Sequence, residues 1–178
     1  MKYRFLTAAL TAAILLGGCS AQKTEEPSAA SNTGTVVSTA EMADKITENS
    51  AVLEFIKFAE AQGMTTTEPK EANEGCALTL KDGSTEMPVQ FWIHADSKIS
   101  EGYFNNAKKD ASAAKYAVES ETEFNGHKTI MMKNPDGNYE LLSMDVNGTV
   151  VLTVTDIPAD TLPKAEGILA SMSLIEKK

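Results

Sequence analysis

Two cysteines, two histidines and a single tryptophan are the side chains of this 178-residue chain best suited to nucleophilic, metal-binding or ring-stacking chemistry. Cys19 stands directly behind Gly17 and Gly18, a thiol flanked by small residues. Cys76 would need a histidine base to act as a nucleophile, and nothing local brings His94 or His127 to it. Its alternation with Leu78, Met87 and Val89 predicts a buried, inert thiol. Trp92 and His94 follow Gln90 on the polar side of an alternating stretch and are the candidate walls of a ligand cleft. His127 and Met131, with Met132 beside them, are the candidate soft-metal ligands, of the imidazole and thioether kind that bind copper. The methionines as a group nevertheless fall on apolar stripes, where thioethers fill cores. Glu119, Glu121 and Glu123 would share one strand face, which suits a hard cation or, more simply, a solvated edge that resists aggregation. Asn134-Pro135-Asp136-Gly137-Asn138 lacks the distal glutamate of a calcium loop and reads as a turn. With no phosphate-cradling glycine loop, zinc spacing or serine elbow, no catalytic residue and no cofactor is assigned from the sequence.

The first eighteen residues give Cys19 its context. Lys2 and Arg4 precede an apolar stretch from Phe5 to Leu16 that is too short to span a bilayer. The run Leu16-Gly17-Gly18-Cys19 resembles the lipobox of bacterial lipoproteins. The resemblance implies cleavage between Gly18 and Cys19, after diacylglycerol is attached to the thiol. Each buried methylene adds ~0.8 kcal/mol, so two or three acyl chains, such as palmitate, hold the chain durably to the membrane. The implied location is a bacterial cell membrane or outer membrane, on the extracytoplasmic side. In a two-membrane bacterium Ser20 would not resemble the inner-membrane retention signal, which has an aspartate there; a host with one membrane or with two fits the sequence. Residues 19–38 are small and polar without periodicity, which predicts a flexible lipidated tether. Residues 39–178 form the single expected domain.

Loss of the leader removes Lys2 and Arg4, the only arginine, and leaves 14 lysines against 25 acidic residues, a formal charge of −11. A basic face with guanidinium forks cannot be built from that set, so nucleic acid is excluded as a partner.

The domain's elements follow from periodicity and turn residues. A capping box at Ser38-Thr39-Ala40-Glu41 and the stripe Val52, Phe55, Ile56 and Ala59 predict one or two helices between residues 39 and 62, closed by Gly63. Beyond Met64 the period falls to two, with turn pairs at Asp82-Gly83, Asn125-Gly126, Asp136-Gly137 and Asn147-Gly148. A loop at Asp82-Gly83 would set Leu78 opposite Met87 and Cys76 opposite Val89. Pro88 implies an edge or a bulge. The Asn147-Gly148 hairpin, joining residues 139–146 to 149–156, is apolar on both sides and should be central. Ile99, Tyr103, Ala107, Ala111 and Ala114 predict a middle helix over 95–114. Pro163 with Leu162, Ala165, Ile168, Leu169 and Met172 predicts a terminal one, capped by Asp160 or Thr161. The fold class expected is α+β, an antiparallel sheet of about five to six strands with N-terminal, middle and C-terminal helices packed on it.

Phe124-Asn125-Gly126-His127, the strands to Asp156 and Ile168-Leu169-Ala170-Ser171-Met172 make the C-terminal half similar to PsbP-like extracytoplasmic domains. Their members share no catalytic apparatus, so the resemblance implies binding or assembly. The function expected is a membrane-anchored lipoprotein that binds a small ligand or an envelope protein without catalysis. One alternative is an enzyme, hydrolase-type or other, whose site joins distant residues such as His94, Cys76 or Asp145. The other is a structural subunit of an envelope complex.

Overall fold

The structure is a computed structural model, and it describes residues 46–177 apart from Asn73 and Ala95. The expected leader, tether, lipidated Cys19 and capping box at Ser38 lie outside the described residues, which fall in one compact unit. Helix α1 (Ser50–Ala61) starts where Asn49 accepts a hydrogen bond from Ala51 N at 2.9 Å. It ends with Gly63 at φ +76°. Met64 N then reaches back to Ala59 O and Gly63 N to Glu60 O, the paired closing bonds that absorb a helix's last carbonyls.

Eight antiparallel strands follow: β1 (Thr65–Thr66), β2 (Lys70–Ala72), β3 (Gly75–Asp82), β4 (Thr85–Ile93), β5 (Ala117–Phe124), β6 (His127–Lys133), β7 (Tyr139–Met144) and β8 (Val150–Ile157). Their order is β1-β3-β4-β8-β7-β6-β5, with β2 also on β3. Helix α2 (Ser97–Ala113) lies between β4 and β5, and α3 (Leu162–Ser171) ends the fold. The α+β class stands, with two more strands than expected. The additions, β1 and β2, are two and three residues long. Runs that short carry no period to read.

β7 and β8 are central as expected, and both faces of the sheet are apolar there. On one face Leu141, Leu152 and Val154 join Cys76, Leu78, Leu80, Met87, Val89 and Phe91 under α1 and α3. Phe55 of α1 meets the Phe91 ring edge-on at 5.6 Å. On the other face Ile130, Met132, Leu142, Met144 and Val151 meet Phe104 and Ala111 of α2. Fully burying side chains of this size stabilises by roughly 1.5–3 kcal/mol each, so each face needs its helical cover. Among the described residues no helix is long and apolar enough to cross a membrane.

Three details differ from the expected arrangement. The β3–β4 loop is Gly83-Ser84, with Asp82 opposite Thr85, so Leu80 faces Met87, Leu78 faces Val89 and Cys76 faces Phe91. Positive φ at Gly83 and not at Ser84 fits a II′ turn, whose glycine comes first. The slip is one residue on each strand, so the same side chains stay on the same face. In the β7–β8 hairpin, residues 145–149 are all loop, because Asp145 closes it: its carboxylate accepts from Thr149 N at 2.6 Å and Val150 N at 2.9 Å. On α2, Ile99 is exposed, and Ser100, Phe104 and Ala111 are the buried stripe. Asn125 and Gly126, one of the expected turn pairs, form a two-residue I′ turn at φ +52° and +81°. Pro88 sits beside Thr79 at a position whose nitrogen faces away from β3, and the β8 ladder begins only at Val89.

Helices α1, α2 and α3 close with the same pair of bonds, but the left-handed position is Gly63 only in α1; in α2 it is Lys115 at φ +65° and in α3 Ser173 at φ +59°. A side chain in that region costs roughly 1–2 kcal/mol. Lys115→Gly is therefore expected to stabilise the chain by about 0.5–1 kcal/mol, net of the larger unfolded-state entropy of glycine. Urea denaturation followed by Trp92 fluorescence measures it, and an unchanged or lower midpoint would contradict it.

Candidate functional site

β4 alternates Met87, Val89 and Phe91 towards α1 and α3 with Gln90, Trp92 and His94 towards α2. Gly75 lies opposite Trp92, and a Cβ there would stand 1.8 Å from Phe91 O, so only glycine lets the two strands approach this closely. Tyr103 of α2 stacks on the His94 ring at 5.1 Å and 9° and near the Trp92 ring at 5.9 Å and 21°. Its hydroxyl donates to Glu74 Oε2 at 2.7 Å, and that bond holds the phenol's pKa above its ordinary value. His94 Nε2 is 3.6 Å from the same oxygen, buried and without a hydrogen bond. Glu74 itself sits at φ +63°, a conformation that costs an L-residue of order 1–3 kcal/mol. Ile93 N to Glu74 O at 3.2 Å and the Tyr103 bond hold it there. The four side chains form a clamp joining β3, β4 and α2, and Tyr103 covers the face of His94 that would have met a ligand.

Trp92 alone of the expected pair lines a groove, of about 320 Å³, with Asp110 of α2, with Tyr116 just after it and with Glu140, Thr153 and Thr155 on the sheet. Burial, and then the charge of Asp156, raises the Glu140 carboxyl's pKa. The residues of the enzyme alternative are not brought together. Cys76 packs beneath α1 on the face opposite His94, and burial pushes its thiol up to about 11. Asp145 is spent on its turn.

His127 and Met131 share a face of β6 but stand four residues, or about 13 Å, apart along the strand. His127 Nδ1 accepts a bond from Val146 N at 3.1 Å, and Met131 packs against the core. Met132 points to the opposite face and is fully buried. Among the described residues no three His, Cys, Asp or Glu side chains converge as a metal site. The glutamate triplet is also divided. A bulge between Val118 and Ser120 leaves Glu119 out of register, while Glu121 and Glu123, opposite Ile130 and Lys128, keep one face. Lys108 of α2 meets Glu121 at 2.6 Å.

Two clefts that residue types did not announce flank β5, one on each face of the sheet. On the α3 side, about 370 Å³ is floored by Phe124, Met131 and Leu141 of the sheet, faced by Ile175 from the segment after α3, and rimmed by Glu123, Glu166 and Glu176. Its roof is the segment after α3, pinned where Thr129 Oγ1 donates to Leu174 O at 3.3 Å and bonds Ser143 Oγ at 2.8 Å. On the α2 side, about 350 Å³ lies among Glu101, Phe104, Lys108, Glu121, Glu123 and Lys128. Both assemble side chains more than twenty residues apart, and only the alternation of β5 hinted that its two sides differ.

No family model, curated protein or solved structure matches the chain.

Three outcomes follow from this geometry. Gly75→Ala is expected to destabilise by ~3 kcal/mol or more, because backbone must move to admit the Cβ; a melt within a degree of the parent would refute the close approach. The unfolded Cys76 thiol ionises near 9.0 and the folded one near 11, so its contribution is intact below pH 9 and is lost as pH rises to about 11. Iodoacetamide at pH 8 should label it only after urea unfolding. Glu140 binds its proton more tightly when folded, so its burial costs more stability as pH rises above 4.5. Glu140→Gln should raise Tm at pH 7 and flatten the decline from acid to neutral pH.

Proposed function

We propose that this protein is a lipid-anchored extracytoplasmic binding module, held to a bacterial membrane through Cys19, that engages an envelope partner or ligand without catalysing a reaction. The observation that carries the reading is the cleft beneath the segment after α3. It has an apolar floor at Phe124, Met131 and Leu141, Ile175 above them and carboxylates at its rim, a lining that suits an apolar group with a positive charge attached. Leu16-Gly17-Gly18-Cys19 supports the anchor, and the small polar residues 19–38 support a tether with a reach of roughly 25 Å. Likeness of the C-terminal half to PsbP-like domains supports binding or assembly in place of turnover. The acidic balance, 25 Asp and Glu against 16 Lys and Arg, favours cationic partners.

Membrane fractionation and mass spectrometry of the mature N-terminal peptide test the anchor. The expected peptide begins at Cys19 and carries a diacylglycerol adduct, and Cys19→Ala should move the chain to the soluble fraction. An unmodified Cys19 peptide would refute the anchor. Ser120→Trp, which fills the cleft from a half-buried wall position, tests the binding site. In cells treated with a short cross-linker, any adduct of the parent chain should disappear with this variant at unchanged Tm; an adduct that persists places the partner elsewhere.

A further inference from the structure

β5 ends the sheet, and among the described residues β6 is its only strand partner. It is eight residues long and exposed along most of its length. The two-residue turn at Asn125-Gly126 fixes which backbone groups face outward. Phe124 and His127 flank that turn as a pair that exchanges both hydrogen bonds. Counting back, Thr122 and Ser120 also face β6, whereas Glu123 and Glu121 present N–H and C=O to the open edge. The bulge lies beyond Ser120, so this alternation is unbroken where it matters.

The two clefts border this edge from opposite faces. A strand laid against β5 would send successive side chains alternately to one face and the other. On the α3 side they would meet the apolar floor, and on the α2 side Glu101 and Glu123, with Glu121 already paired to Lys108 at 2.6 Å and Lys128 beside them. We propose that β5 is a strand-addition site for an extended segment of a partner protein in which lysine alternates with apolar residues. Backbone bonds to Glu121 and Glu123 would supply affinity and the clefts specificity. The argument for this occupant is charge complementarity: Lys108 neutralises Glu121, but Glu119 and Glu123 on the edge strand and Glu101 and Glu176 at the two clefts outnumber Lys128, and the chain is acidic overall. The inference rests on the binding-module reading and names its partner.

The test uses the full chain carrying Cys19→Ala and two synthetic peptides of one composition, Lys-Val-Lys-Leu-Lys-Val and the block isomer Lys-Lys-Lys-Val-Val-Leu. Calorimetry should show the alternating peptide binding about tenfold more tightly, the size of one to two backbone hydrogen bonds. Hydrogen exchange should slow at the Glu121 and Glu123 amides. Glu123→Pro removes an outward donor at a position an edge strand tolerates and should weaken binding about tenfold. Glu123→Gln removes only the charge and should weaken it about threefold, with added salt weakening the parent similarly. Equal binding of the two peptides would reduce the effect to general attraction for cations and overturn the proposal. Failure of both to bind would overturn it too, while leaving the Cys19 adduct and the cross-linking result to judge the wider reading. Amides of Glu121 and Glu123 already protected in the peptide-free chain would show the edge filled by another part of this chain or by a second copy, and would also overturn it.

Discussion

The pairing of β8 with β4 is the constraint on which the rest of the structure depends. Val89 to Ile93 lie opposite Val154 to Val150, about sixty residues later in the sequence, and this ladder joins the early β3–β4 hairpin to the later β5–β8 strands. Closing so long a loop costs entropy that local contacts cannot repay. Burial on both faces of β8 repays it: Leu152 and Val154 on one side, Val151 on the other. Once β8 is in place, Trp92 stands beside Val151, and α2, leaving β4 and returning to β5, must cross the face that carries them. The Trp92–Tyr103–His94 stack is a consequence of that crossing.

The same constraint explains which parts of the fold were legible. Each hairpin is a local event, and Asn125-Gly126 marked its turn because two successive positive φ angles suit that pair. Asp82-Gly83 was ambiguous: glycine can occupy either loop position, and the II′ form placed it first. Of the expected α2 stripe Ala111 is buried and Tyr103 and Ala107 pack half-buried against the sheet, but the ends Ile99 and Ala114 are exposed, because Tyr103 and Phe104 both reach the sheet and turn Ser100 inward. β1 and β2 exist only because β3 offers them an edge, a relation no window of sequence contains.

The candidate site was less legible than the fold for a related reason. Trp92 and His94 share a face, as two-residue spacing requires, but which of them meets solvent was decided by Tyr103, from a helix whose angle the sequence does not state. The His127 and Met131 pair failed on strand length: a common face is not proximity when four residues span about 13 Å. The α3-side cleft beside β5 needs the segment after α3 folded back over Thr129, a contact between residues 45 positions apart, and the α2-side cleft needs Glu101 and Lys108 of α2 brought over β5 and β6.

The two borders of the sheet are treated differently, and the difference bears on what β5 is for. At one border short β1 and β2 cover parts of β3, and Pro69 lies between them, so little continuous edge is left there. At the other, β5 is long, and its protection is a bulge together with glutamates. Negative charge is a conditional guard. Two copies of β5 brought together would oppose glutamates at close range, where like charges in facing strands are destabilising, so self-assembly through this edge is disfavoured. A lysine-bearing strand meets attraction from the same residues. Exposed ion pairs of this kind contribute only about 0.2–1 kcal/mol each, too little to bind alone. They select which strand settles on the edge, and the backbone hydrogen bonds it then forms, each with a net worth of about 1 kcal/mol, hold it there.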